Sequence, residues 1–573
     1  MTSLTQDAQA RIDALAIDSI IVEAPAGAGK TELLTQRFLR LLAVVDNPEE
    51  VMALTFTNKA STEMRDRILG SLERTAAGIV PPEPHKRQTH DLALAVLKRD
   101  AQCHWNLLGH PGRLRITTLD ALCANLSRQM PYLSRFGSQP PVSAAPEIHY
   151  TTAAQRTLEM VDGGTADAEV VAQALSFVDN HSGRLETMLV SLLGRRDQWI
   201  QHASRIESGA LRPEVESGFA ALIERDLARV ADLLDNVTQT TMMPLARFSA
   251  TNAPGRIDAL LDWDTPLAAS IDDLPRWQAL ADFLLTGAGE IRKTVDKRSG
   301  FPAGAAFADQ KQSMLDLLRT LSGVTGLADA LAVVPALPAP QFERADWATV
   351  ECFSRLLRLA AGQLWLVFQE VGEVDFIEIA GRASMALGDE EAPTDLAQAL
   401  DYRIQHLLVD EFQDTSPSQV ALIEKLTRGW VPGDGRTLFV VGDPMQSIYR
   451  FRKADVGLFL RVRDMGIGSI SLKHLRLCRN NRSFPAIVNW VNSTFPTIFP
   501  DTDSPEAGAV RYAESIATKP PRADAGVTVH AVIQRPETDA AAAEAACVLE
   551  LISNARQQAP NGTIAVLVRA RKH

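Results

Sequence analysis

Ser19-Ile20-Ile21-Val22-Glu23-Ala24-Pro25-Ala26-Gly27-Ala28-Gly29-Lys30-Thr31 is the stretch on which the fold turns. Its first five residues read as a short buried strand, and ELLTQRFLRLL over residues 32–42 carries an apolar stripe at helical spacing. The loop between them can turn its backbone N–H groups on phosphate oxygens, and the helix N-terminus adds a positive dipole. Lys30 supplies a point charge for the β- and γ-phosphates, and Thr31 a hydroxyl for a divalent cation. Ala24 stands where such loops usually begin with glycine, while G-x-G-K-T is intact. A plain strand-turn-helix with two packing glycines is the bland alternative, and the Lys-Thr pair at the helix start argues against it.

Two later segments complete the phosphate chemistry. The apolar run His406-Leu407-Leu408-Val409 ends in Asp410-Glu411, and a strand's C-terminal edge would turn both acids toward the loop. Asp410 is expected in the Mg²⁺ shell and Glu411 as acceptor of a proton from attacking water. Thr437-Leu438-Phe439-Val440-Val441 is a further core strand, delivering Gly442-Asp443-Pro444-Met445-Gln446. Gln446 there can touch a γ-phosphate. Tyr449 and Phe451 follow, flanked by Arg450, Arg452 and Lys453, a setting that suits a nucleic-acid platform better than a core. Together the three segments describe an ATP site coupled to something beyond it.

Composition bounds the rest. The 573 residues are 46% apolar and 22% charged, enough for two to four domains with real cores. Cys103, Cys123, Cys352, Cys478 and Cys547 show no C-x-x-C spacing, so neither a zinc site nor a disulfide framework is indicated. The N-terminus lacks a basic and apolar signal pattern, and no apolar run reaches membrane length; a cytoplasmic protein with no membrane partner is expected. The net charge of −12 argues mildly against nucleic acid, yet residues 450–482 concentrate Arg450, Arg452, Lys453, Arg461, Arg463, Lys473, His474, Arg476, Arg479 and Arg482.

The spacing of the segments sets the organisation. Positions 30 and 410 lie much farther apart than a compact nucleotide-binding domain needs, so something is inserted between them. Residues 150–400 are mostly helical in pattern, with breaks at 299–302 and 335–338, and Trp199, Trp263, Trp277, Trp347 and Trp365 read as core anchors. Residues 500–524 read as surface loop and 563–571 as a strand. The expected fold class is α/β: a phosphate-loop nucleotide-binding domain over 1–149 and 401–475, interrupted by an α-helical insertion over 150–400.

In order and wording, APAGAGKT (24–31), LTFTNKASTEMRDRI (54–68), ITTLDALC (116–123), LLVDEFQDTS (407–416), VVGDPMQSIYRFRKAD (440–455) and NNRS (480–483) resemble the UvrD/Rep-type superfamily 1 DNA helicases, closest to their AddA/RecB-like branch. The resemblance implies a P-loop NTPase RecA-like domain over 1–149 and 401–475, an α-helical accessory insertion over 150–400 and the start of a second RecA-like domain over 476–573. The activity it implies is that of an ATP-dependent helicase or translocase, moving 3′ to 5′ on single-stranded DNA in repair or recombination. It implies ATP and Mg²⁺ as cofactors, single-stranded DNA or DNA ends as substrate, and a partner that is a nuclease or recombination subunit. By the same likeness Thr55, Phe56, Thr57, Asn58 and Lys59 lie along DNA, Thr118 and Asp120 form a second DNA-contacting turn, and Tyr449 and Phe451 stack on bases. Arg482 reaches the γ-phosphate, and Gln9 or Gln6 reads adenine.

The chain departs from that pattern in two ways. Glu32 and Asn481 stand where the relatives sandwich adenine between an arginine and a tyrosine. No glycine-bearing motif V or arginine-bearing motif VI follows, so a C-terminally truncated helicase is expected. The alternative is a hydrolysis-deficient remnant or subunit that binds ATP and DNA and needs a partner. A small-molecule kinase would need neither the 54–68 nor the 440–455 segment.

Overall fold

The computed structural model describes residues 4–129, 140–388, 394–448, 455–505, 508–523, 525–532 and 540–568. The chain folds as two compact units, one of Met1–Gly137 with Arg382–His573 and one of Ser138–Gly381.

The first unit is built on a six-stranded sheet with the order β3-β2-β4-β5-β1-β6. Its strands are β1 (Ile20–Glu23), β2 (Val51–Thr55), β3 (Arg115–Thr118), β4 (His406–Val409), β5 (Thr437–Gly442) and β6 (Lys473–Arg476). Every neighbouring pair is parallel. A parallel sheet covered on both faces needs near-continuous apolar strands rather than alternating ones. β2, β4 and β5 are accordingly buried at every position. The sheet packs against α2 (Lys30–Leu42), α3 (Asn58–Ala76) and α4 (Pro84–Cys103), which follow α1 (Leu4–Asp13). Leu34, Phe38 and Leu42 of α2 and Ile68 and Leu72 of α3 share one core with Ile20, Val22, Val51, Phe439 and Val441.

Chain order and sheet order differ where it matters. β1 lies between β5 and β6, whereas β2 pairs with β3 and β4. With all six strands parallel, the loops after β1, β2, β3, β4 and β5 emerge along one edge, where ligands bind in open α/β sheets.

Beyond the sheet, β7 (Arg479–Asn480) pairs in parallel with β8 (Ile516–Ala517). β8 corrects the reading of 500–524 as loop throughout. Residues 563–568 form no strand: Leu567 is 95% exposed, because no neighbouring strand among the described residues offers these apolar side chains a ladder or a covering face. Helix Ala540–Gln558 likewise buries none of its residues.

The second unit is helical, with only two isolated β-bridges among its described residues, Val142–Val374 and Leu285–Ile291. Trp263 and Trp277 are fully buried in a core shared with Leu227, Met242, Leu280 and Met314. Their indole N–H groups donate to the carbonyls of Thr265 and Ala268, both at 2.8 Å, as buried tryptophans require. A charged cluster lies elsewhere in this unit. Arg196 grips Asp375 with two bonds of 2.6 and 2.7 Å and reaches Glu378 at 3.1 Å, while Tyr150 Oη donates to Asp375 at 2.5 Å. No single helix among the described residues is long and apolar enough to cross a membrane.

Candidate functional site

The loop after β1 is shaped by its two glycines. Gly27 and Gly29 sit at φ 77° and 86°, the left-handed region that glycine enters without steric cost. Gly29 immediately precedes α2, so the helix begins at Lys30 with its N–H groups facing the loop. Ala24 N–H donates to Gly442 O at 2.9 Å, fixing the loop's entry against β5. Arg11 of α1 donates to Ala28 O at 2.7 Å. Pro25 is buried beneath the loop and Ala26 faces outward.

Lys30 Nζ lies 3.3 Å from Glu411 Oε2. Asp410 follows β4 directly, its N–H bonded to Leu54 O and its Oδ1 accepting from Glu411 N–H, both at 2.9 Å. Glu411 itself adopts φ 48°, ψ 44°, an uncommon conformation for a non-glycine residue. Across β5, Gln446 Nε2 donates to Asp443 Oδ2. The sheet thus gathers Lys30, Asp410, Glu411, Asp414, Asp443 and Gln446 at one edge.

Carboxylates outnumber cations there, and burial acts on them first. Burial and then the charge of Glu411 push Asp410 up to about 7, with Lys30 offsetting part of the shift. The same two causes, in the same order, lift Asp414 to about 6, and burial raises Asp443. Acids lifted in this way would be relieved by a divalent cation, whose charge inverts the local balance. Among the described residues no group of three or more His, Cys, Asp or Glu forms a closed metal cage. An open edge of this kind instead suits a hard divalent cation that takes one or two protein oxygens and completes its shell with water and substrate phosphates.

Segment 480–482 closes on the loop from the other side. Asn481 N–H donates to Gly27 O at 2.9 Å. A side chain at Gly27 would meet Asn480 Oδ1 at 2.7 Å and Arg482 Cβ at 2.9 Å, so glycine is required there by space as well as by φ. Arg482 is exposed beside the loop. Gln9 is exposed and donates to Asp13 Oδ1 at 2.7 Å along its own helix. Glu32, at the adenine-stacking position of the resembling family, is turned away: Thr89 Oγ1 of α4 donates to its Oε1.

The nucleic-acid candidates fall into two groups. Thr55 and Thr118 are register partners at the tips of β2 and β3, and both are buried. Their hydroxyls serve the local backbone: Thr55 Oγ1 donates to Thr57 O at 3.2 Å, and Thr118 Oγ1 accepts Ala121 N–H at 3.1 Å. Thr57 caps α3 by accepting Ala60 N–H. Asp120 accepts from Gln419 Nε2 at 3.3 Å. Asn58 and Lys59 are exposed and Phe56 is half-buried. Tyr449 and Phe451 lie outside the described residues. Among the described residues of the basic stretch, Arg461 pairs with Asp455, Arg463 with Asp503, Lys473 with Asp13, Arg476 and His474 with Glu23, and Arg479 with Asp7.

Sequence reasoning passed over several residues that build this site. Gln413 stands inside the quoted LLVDEFQDTS run, yet nothing in its spacing shows that its amide bridges two strands. Asp7 is fully buried and accepts the N–H groups of Cys478 and Arg479 at 2.8 and 3.1 Å, joining residues 471 and 472 positions apart.

A parallel sheet carrying a phosphate loop and an acidic pair at one edge defines a P-loop nucleotide-binding protein. The chain belongs to the UvrD/REP helicase family: the family model of the UvrD/REP helicase N-terminal domain matches residues 4–252 and 291–465. It is similar to an ATP-dependent helicase/nuclease subunit of Exiguobacterium sibiricum, with 24% identity over 89% of this chain and 41% of that protein. Proteins of the same description from Desulfitobacterium hafniense and Moorella thermoacetica are 26% and 27% identical, over 87% and 86% of this chain. The chain spans only 36% and 34% of their lengths.

Proposed function

We propose that this chain carries the ATP-hydrolysing motor of a DNA helicase that translocates on single-stranded DNA, 3′ to 5′, in repair or recombination, together with a partner subunit. The observation that carries the reading is the Lys30–Glu411 ion pair at the mouth of the phosphate loop. A triphosphate entering the loop competes for Lys30, and the pair opens. Lys30 then holds the β- and γ-phosphates, and Glu411 is free to take a proton from water at the γ-phosphate. Thr31 and Asp410 would hold Mg²⁺, which when bound neutralises charge on the phosphates. Gln446 contacts the γ-phosphate from β5, and Arg482 stabilises its transition-state charge.

Translocation follows from where the DNA candidates lie. The tips of β2 and β3 share the sheet edge that carries the acids, so movement at the γ-phosphate reaches Phe56, Asn58 and Lys59 through the sheet's own loops. The relatives' description as helicase/nuclease subunits supports both the helicase reading and a partner subunit.

ATP turnover by this chain, measured with and without single-stranded DNA, tests the proposal. DNA-stimulated hydrolysis is expected. Lys30→Ala should abolish it, and Glu411→Gln should bind ATP without turning it over. Turnover unchanged in Lys30→Ala would remove the phosphate-loop assignment. Binding without hydrolysis in the unaltered chain would instead favour a subunit that needs a partner.

A further inference from the structure

Gln413 is 1% exposed and sits in the turn Phe412–Asp414, two residues after Glu411. Its amide is used at both ends. Nε2 donates to Glu411 Oε2 at 2.7 Å and to Asp414 Oδ2 at 3.4 Å, and Oε1 accepts Asp443 N–H at 2.9 Å. The orientation is forced, because a backbone N–H needs an acceptor and a carboxylate needs a donor. β5 makes room for it: a side chain at Gly442 would come within 2.5 Å of Gln413 Oε1. Asp443 in turn accepts Met445 N–H at 3.1 Å and the Gln446 amide. One chain of hydrogen bonds therefore runs from Lys30 through Glu411, Gln413 and Asp443 to Gln446.

Glu411 needs such a hold. Its left-handed backbone persists only where surroundings over-determine it, and its carboxylate is among acids that repel it. We propose that Gln413 is a positioning residue: it aims the Glu411 carboxylate at Lys30 and ties that aim to the Asp443–Gln446 turn. Movement of the turn when Gln446 meets or leaves the γ-phosphate is thereby passed to the group that activates water. Glutamine suits the task because one side chain must donate to β4's tip and accept from β5's tip. Asparagine carries the same amide on a side chain one methylene shorter.

The inference rests on the hydrolysis reading above, and its test separates the two. Gln413→Met keeps the volume and loses both contacts. Gln413→Glu keeps the acceptor for Asp443 N–H and loses the donor to Glu411. Both should lower kcat for ATP on the order of 10–100-fold, the usual cost of removing a partner that orients a reactive group, with KM within about threefold. A kcat equal to the unaltered chain's, or a loss confined to KM, would overturn the proposal. If the unaltered chain itself shows no turnover, the hydrolysis reading fails, and a crystal structure of Gln413→Met decides the positioning role. Glu411 displaced from Lys30 would support it; an intact pair would overturn it.

Discussion

Replacing Arg196 by methionine tests the charged cluster in the helical unit. Arg196 is 4% exposed, Asp375 3%, and the pair is bidentate. The guanidinium also lies 5.6 Å from the ring centre of Phe368. Methionine fills much of the same volume but removes both guanidinium bonds, leaving Asp375 the Tyr150 hydroxyl and Glu378 N–H as donors and Glu378 as a charged neighbour. Removing one member of a buried pair typically costs about 3–5 kcal/mol, against a total stability of about 5–15 kcal/mol for a domain. Although burial opposes it, Arg196 holds the Asp375 carboxyl below the usual range. In the unaltered protein this contribution is complete above the unfolded carboxyl's pKa of about 3.9 and is lost as pH falls through the lower folded value. Without Arg196 the folded pKa rises, so the carboxyl's penalty shrinks as it protonates, and the stability gap should narrow from pH 7 to pH 5. Hydrogen exchange in helices Pro146–Glu159 and Arg344–Val371, followed at both pH values, reads the effect. Adding Asp375→Asn should recover about 2 kcal/mol or more, because an amide leaves no buried charge unpaired. A loss under about 1 kcal/mol with the same gap at both pH values would refute the argument.

Two further expectations concern the sheet unit. His406 is buried, with Nδ1 2.9 Å from Thr437 Oγ1, and burial followed by the charge of Arg37 lowers it to about 4. Its neutral form is the folded one, so stability is full above the unfolded pKa of about 6.5 and falls by about 3 kcal/mol toward pH 4. The urea midpoint of His406→Gln should fall less steeply over that range, and equal slopes would dismiss the residue as a pH sensor. Gly27→Ala places a methyl group against Asn480 and Arg482 at φ 77°, a backbone conformation that costs about 1–2 kcal/mol for an L residue. ATP affinity should drop at least about tenfold as segment 480–482 is displaced; unchanged affinity in a binding titration would show that the segment yields freely.

The sheet strands bearing the phosphate loop and the acids were legible because burial on both faces leaves uninterrupted apolar runs, such as those of β1, β4 and β5. β6 left no such mark. Lys-His-Leu-Arg reads as a basic stretch, and its place as an edge strand, with Lys473 and His474 exposed, appears only in its register with β1. The run at 563–568 misled in the opposite direction, since a continuous apolar run makes a strand only where a neighbour supplies the ladder. At the site, residue type and position singled out Lys30, Asp410 and Glu411, and the fold brings them to one edge of the sheet. Gln413, Asp7 and Arg11 were silent, because their roles arise from contacts the fold makes and not from local spacing.

The strand order also constrains how the protein is made. β1 finds partners only in β5 and β6, and the hydroxyl of Ser19 beside it accepts the N–H of Leu438, 419 residues downstream. At the usual pace of roughly 5–20 residues per second, a ribosome needs roughly 20–80 s to cover that distance. Throughout, the phosphate loop hangs from an unpaired apolar strand, and β2 has only β3 beside it. The helical unit, encoded wholly within the gap, can fold first. The nucleotide site then closes only after β5 and β6 are made, and until that moment its earliest strand stays open to wrong pairings.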